Sequence, residues 1–157
     1  MGLQQELGLK RGFSVVEHEA MLNVYYTASL LKKKADDFFK KFGLTDVQFN
    51  VMMLLTYQSG RDEGLSQAQL SKMMLVNRAN ITSLIDRMEK AEMVVRTDAA
   101  DDRRYNIVKL TAKGKKLFAK VEPSYEKMVH ECMNIIGQSE QKKLIEMLEK
   151  IRGKINI

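Results

Sequence analysis

Between Arg78 and Lys90 the sequence sets aliphatic side chains on one side of a helix and small or hydrogen-bonding ones on the other. Ile81, Leu84, Ile85 and Met88 recur at the spacing of a single helical face. The opposite side presents Ala79, Ser83, Asp86, Arg87 and Lys90, with Asn80 and Thr82 on its shoulders. These residue types suit a reader of the DNA major groove. Asparagine pairs bidentately with adenine, arginine with guanine, and alanine or threonine touches a thymine methyl. Bulky side chains there would hold the helix away from the base edges. An ordinary amphipathic surface helix shows the same wheel, so a second signal is needed.

That signal lies a few residues on. Asp102-Arg103-Arg104 stands between two β-prone runs, Val94-Val95-Arg96-Thr97 and Tyr105-Asn106-Ile107-Val108-Lys109-Leu110. Two guanidinium groups at the end of a hairpin can reach phosphates or a narrow minor groove. The aspartate beside them can brace a guanidinium through a charge-assisted bond. Lys109, Lys113, Lys115 and Lys116 carry the positive surface away from the tip.

The net charge of +6 falls in the same place. Residues 66–120 hold 12 Lys+Arg against 6 Asp+Glu, whereas residues 1–65 (8 against 8) and 121–157 (6 against 6) are neutral. A basic centre in a neutral frame matches what phosphate binding needs, because each neutralised phosphate releases counterions.

The elements that must hold these groups follow from caps and periodicity. Ser14-Val15-Val16-Glu17 and Thr45-Asp46-Val47-Gln48 both read as capping boxes. The first opens a helix with a heptad seam at Val24, Ala28, Leu31, Ala35, Phe38 and Phe42, stopped at Gly43. The second opens a helix apolar on most sides, which should be the central buried one. Ser66 caps a short helix with Leu70, Met73 and Met74 inward, and a tight turn around Leu75 to Asn77 joins it to the helix beginning near Arg78. Two short helices so joined suggest a helix-turn-helix. Thr111 caps a long helix with a seam at Leu117, Val121, Tyr125, Met128, Cys132 and Ile135, bent or weakened at Pro123 and ended by Gly137. Ser139 caps a last helix carrying Leu144, Leu148, Ile151 and Ile155.

Helix, helix, helix, hairpin in this order is a winged helix: mainly α with a small β-hairpin wing. Residues 14–155 read as one domain after an N-terminal arm of residues 1–13. Its DNA-binding lobe runs from about 45 to 111. The flanking helices, about 14–42 and 112–155, carry seams that suit packing against a second chain, giving a homodimer.

Four motifs in order also resemble a known family. Leu44-Thr45 with Gln48-Phe49, then Leu65-Ser66 with Leu70-Ser71, are similar to the approach to the helix-turn-helix in multiple-antibiotic-resistance regulators (the MarR family). Asn80 through Glu89 resembles that family's recognition helix. Asp102-Arg103-Arg104, then Leu110-Thr111 and Gly114, resembles its Asp-x-Arg wing and following helix. The likeness runs from roughly Glu17 to Ile151. It implies a two-fold dimer reading a near-palindromic double-stranded DNA operator, with Arg104 in the minor groove braced by Asp102. The DNA-binding set is then Ser66, Gln67, Asn77, Arg78, Asn80, Thr82, Ser83, Arg87, Arg96, Asp102, Arg103 and Arg104. Many relatives carry glycine just past the recognition helix, where this chain has Glu92, so that helix end should close differently.

The resemblance also implies a repressor released by a small aromatic or phenolic ligand, held where the dimer helices meet the DNA lobe. Tyr25, Tyr26, Phe49 and Met52 are the expected lining, though each is equally a core residue. Other chemistries find little footing. His130 and Cys132 lie two apart on a helix and point about 200° away from one another, a poor nucleophile–base pair. There is no Gly-rich phosphate loop, so no enzyme is expected. His18 and His130 are far apart, no Cys/His ligand cluster occurs, and no cofactor or metal is expected. No apolar run approaches a membrane span and no secretory pattern opens the chain, which points to a cytoplasmic protein. Two alternatives stand beside the regulator: a winged-helix protein-interaction adaptor, which would not need Arg103 and Arg104, and a redox-responsive regulator using Cys132.

Overall fold

In the computed structural model, residues 2–60, 63–74, 78–98 and 106–155 are described, the side chain of Arg78 aside. Helix α1 (Leu3–Glu6) lies in the N-terminal arm and buries Leu3. Then follow α2 (Val16–Lys40), α3 (Asp46–Tyr57), β1 (Leu65–Ser66), α4 (Gln67–Met74), α5 (Arg78–Lys90), β2 (Val94–Asp98), β3 (Asn106–Leu110), α6 (Ala112–Met133) and α7 (Gln138–Lys154).

Helix α3 is the centre, as its apolar sequence requires. Thr45 accepts from the Gln48 N–H while the Gln48 side chain accepts from the Thr45 N–H at 2.9 Å, a complete capping box. Phe49, Val51, Met52 and Leu55 are buried around its circumference. From α5, Ile81, Leu84, Ile85 and Met88 pack into the same core, with Leu70 of α4, Val94 and Val108 of the sheet, and Phe118 and Val121 of α6. An aromatic cluster binds α2, α3 and α6 together. The Phe49 ring lies 4.8 Å from Phe39, 5.3 Å from Phe118 and 4.8 Å from Tyr125.

The hairpin is the larger part of a three-stranded antiparallel sheet of order β1-β3-β2. Strand β1, two residues long, is not signalled by the sequence, which reads Ser66 only as a helix cap. Leu65 pairs with Val108 and Ser66 with Ile107, so the residue before α4 is stitched to the wing.

Three helix ends differ from the sequence expectation. Helix α2 starts at Val16 with Val15 as its N-cap and no side-chain bond there, so Ser14 sits one residue too early to cap it. Helix α6 runs through Pro123 but stops at Met133, four residues before Gly137. Gly137 instead begins α7: its N–H donates to the Glu140 carboxylate at 2.8 Å, and Ser139 falls inside the first turn. The Gln141 amide satisfies the carbonyls of Met133 and Ile136, both at 3.0 Å, which knits the α6–α7 elbow.

The outer helices are incompletely covered. Along α2 the seam is half-buried from Ala35 onward, yet Val24 and Leu31 are exposed. Helix α7 has no buried residue at all, and Leu144, Ile145, Met147 and Ile151 are all exposed. Among the described residues no helix is long and apolar enough to cross a membrane.

Candidate nucleic-acid interface

The face of α5 opposite its buried residues is open. Ala79, Asn80, Thr82, Ser83, Asp86, Arg87 and Lys90 are exposed, while Ile81, Ile85 and Met88 are fully buried. This division is the one the helical wheel required. Helix α4 is set against it by local bonds. Ser66 Oγ accepts from the Gln69 N–H at 3.2 Å and the Gln69 side chain accepts from the Ser66 N–H at 2.8 Å, a second capping box. The Thr82 hydroxyl donates to Gln67 Oε1 at 2.8 Å, so two candidate DNA-binding residues are joined across the helix pair. Such a bond fixes where both side chains point.

Arg96 is placed differently from the other candidate cations. Its guanidinium does not face outward alone: Nη2 reaches Asp86 Oδ1 at 2.5 Å and Nη1 bonds Glu89 Oε2. Its own N–H donates to Glu89 Oε1 at 3.0 Å. The side chain is only 20% exposed. Burial works against the charged form, but the bonds to Asp86 and Glu89 outweigh it and hold the guanidinium protonated above its ordinary range. Asp86 and Glu89 are three residues apart and therefore neighbours on the helix surface. Their pairing with an arginine on the strand after the helix was not anticipated. The acidic residues at that spacing, followed by one arginine in a short β-prone run, were the available signal.

The end of α5 closes without glycine. Glu92 takes a left-handed backbone, φ 59°, while the Glu92 N–H bonds Glu89 O and the Met93 N–H bonds Met88 O, both at 2.9 Å. This is the Schellman pattern, and Met93 packs with Met88 in the core as that motif favours. The same turn receives α6. Thr111 donates its hydroxyl to the Glu92 carbonyl at 2.6 Å, its N–H to the Met93 carbonyl at 3.1 Å, and accepts from the Gly114 N–H at 3.0 Å. Gly114 is required for the approach: a Cβ there would lie 2.1 Å from the Met93 carbonyl oxygen. Helix α5, the sheet and α6 thus meet at one tight joint.

Of the sequence candidates, Ser66, Gln67, Asn80, Thr82, Ser83 and Arg87 lie on α4, α5 or the residue leading into them. Asn77, the Arg78 side chain, Asp102, Arg103 and Arg104 lie outside the described residues. The expected ligand lining is not brought together as a crevice. Phe49, inside the aromatic cluster, is 1% exposed and Met52 is 0% exposed, while Tyr26 is half-buried and Tyr25 is 62% exposed on the first half of α2. The apolar types that suggested a pocket wall are used for packing. Among the described residues no group of three or more His, Cys, Asp or Glu is placed to hold a metal ion. Cys132 is half-buried on α6.

A helix-turn-helix whose second helix presents a small polar face, backed by a three-stranded wing, defines a winged-helix protein. Comparison with known proteins adds likenesses of sequence and fold. The MarR family profile matches residues 42–104, a stretch that includes α3, β1, α4, α5 and β2 and ends before β3. Over 111 residues the chain is 29% identical to the HTH-type transcriptional regulator MhqR of Bacillus subtilis (strain 168), covering 71% of this chain and 74% of MhqR. The fold is similar to that of Sco3205, a MarR family transcriptional regulator from Streptomyces coelicolor solved in complex with DNA. The TM-score is 0.81 at 20% identity, covering 95% of this chain and 94% of Sco3205. It is similar also to CouR from Rhodococcus jostii RHA1 bound to p-coumaroyl-CoA, with TM-score 0.77 at 18% identity, covering 88% and 95% of the two chains. Over residues 42–104 the chain is similar to the MarR family.

Proposed function

We propose that this chain is a double-stranded-DNA-binding transcription regulator, not an enzyme, that acts as a homodimer with α5 in the major groove. The observation that carries the reading is the outer face of α5, where Asn80, Thr82, Ser83 and Arg87 stand exposed over a fully buried apolar face. Similarity to the MarR family profile and to the transcriptional regulator MhqR agrees with it. The dimer rests on α7: seventeen residues with no side chain buried in its own chain, beside exposed Val24 and Leu31 of α2, need a second apolar surface. In such a dimer the two α5 helices would address half-sites about 34–36 Å apart, or a multiple of it, in a near-palindrome.

Repression relieved by a ligand fits the same frame, since CouR holds p-coumaroyl-CoA. The closed junction around Phe49 directs attention to a groove of about 570 Å³ between α2 and α6. Lys33, Lys34, Lys41 and Lys127 outnumber Asp37 and Glu131 around the apolar Leu30, Phe38 and Met128, and this excess of positive charge suits an aromatic acid. A ligand there would release DNA only by favouring one spacing of the reading helices over another.

Selection of bound duplexes from a random pool tests the main reading, and a near-palindromic consensus is expected. Asn80→Ala should alter base preference at one position of each half-site. Arg104→Ala should weaken binding to most sequences and lower the salt slope by about 1. Protein that ignores every duplex in dilute buffer would refute the assignment. Sedimentation should show a dimer, and Ile151→Asp, which sets a charge on the exposed seam, should shift it toward monomer.

A further inference from the structure

We infer that Arg96 is a positioning residue that fixes the angle between recognition helix and wing, and so contributes to sequence discrimination without itself touching DNA. The inference rests on the DNA-binding reading above. Its basis is a three-point grip. One residue of β2 holds α5 through its own N–H to Glu89 and through both terminal guanidinium nitrogens to Glu89 and Asp86. The strand end of the grip is equally fixed, because Arg96 pairs with Val108 in the register of the sheet. Glu89 accepts from both the backbone and the side chain of the same residue, so strand and helix cannot slide without breaking two bonds at once. A solvated arginine kept for phosphates would not spend both ends of its fork in this way. The pairing has a second effect: it covers negative charge on a helix that must lie between phosphate chains.

Sequence-specific binding requires helix and wing to engage together, whereas loose binding to any duplex needs only phosphate contacts. A rigid link raises the effective concentration of the second contact once the first is made. Loosening the link should therefore lower the ratio of specific to non-specific affinity rather than affinity in general.

The test is Arg96→Met combined with Glu89→Gln, which removes one charge of each sign and leaves the net charge unchanged. With the selected operator and a random duplex, the expected result is non-specific affinity within about twofold of the parent and a specific-to-non-specific ratio at least tenfold lower. In the free protein, amide exchange at residues 96 and 97 should quicken at least tenfold. That readout needs no DNA and so separates failure of this inference from failure of the DNA-binding reading. An unchanged ratio with unchanged exchange would overturn it. So would an equal fall in both affinities with a salt slope lower by about 1, which is the signature of Arg96 as a phosphate contact. Should the double variant not fold, Asp86→Ala, which removes only the outer bond at a half-exposed carboxylate, should still lower the ratio at least threefold. An unchanged ratio there counts equally against it.

Discussion

Replacing Gly114 with alanine would set a methyl carbon 2.1 Å from the Met93 carbonyl oxygen, 3.1 Å from its carbon and 3.2 Å from Leu110 Cδ2. The nearest of these is backbone and cannot swing aside. Ordinary contact would require α6 to back away from the α5–β2 turn by roughly 1 Å or more. That displacement stretches the Thr111 N–H to Met93 carbonyl bond, now 3.1 Å, beyond useful length. Overpacking of this kind costs about 1–3 kcal/mol and the lost bond about 1 kcal/mol, so the sum is about 2–4 kcal/mol. In a chain of this size each kcal/mol moves Tm by about 2–4 °C, which gives a fall of roughly 4–16 °C. Thermal melts at fixed protein concentration provide the assay, because the Tm of the proposed dimer would depend on concentration. Gly153→Ala is the control: nothing lies within 4 Å of its Cβ, and alanine in a helix should raise stability by up to about 1 kcal/mol. A Gly114→Ala protein melting within 2 °C of the parent, roughly the least effect of a single kcal/mol, would refute the close-approach argument.

Two further outcomes follow from local geometry. Glu92→Gly should stabilise by about 0.5–1 kcal/mol, since a left-handed backbone at φ 59° costs a non-glycine residue about that much. The exposed Lys113 pair that is lost offsets only a few tenths of a kcal/mol, and a lower urea midpoint would count against the reading. Tyr57 donates its hydroxyl to Glu122, and that bond to a carboxylate raises its pKa above the ordinary 10.0. Because the native state favours the neutral phenol, this contribution is complete below the unfolded value and fades as pH rises through the folded one. In a spectrophotometric titration Tyr57 should ionise later than an ordinary tyrosine, and Glu122→Gln should bring it down. An unmoved curve in the variant would sink the assignment.

What the sequence disclosed depended on how local each cause was. The buried face of α5, the centrality of α3 and the Thr45 box follow from periodicity or from bonds three residues long, and all were legible. Strand β1 was not, because two residues carry no alternation and pair only through Val108 and Ile107, more than forty positions away. Arg96 read as a candidate DNA contact for a similar reason: charge is visible in a sequence, but the Asp86 and Glu89 that occupy it are brought close only by folding. Phe49 and Met52 suit a pocket wall or a core equally, and the rings of Phe39, Phe118 and Tyr125 that pack on Phe49 are brought there only by folding. Glu92 shows the converse. Its departure from glycine was plain, yet the chain keeps the left-handed turn and tolerates the strain.

The bare flank of α7 also bears on how long a lone copy lasts. A segment that contributes nothing to its own chain's interior is the first to fray when copies separate, and a frayed end is where proteases begin. In the proposed dimer α7 would be held by pairing, so amide exchange along it should slow as protein concentration rises.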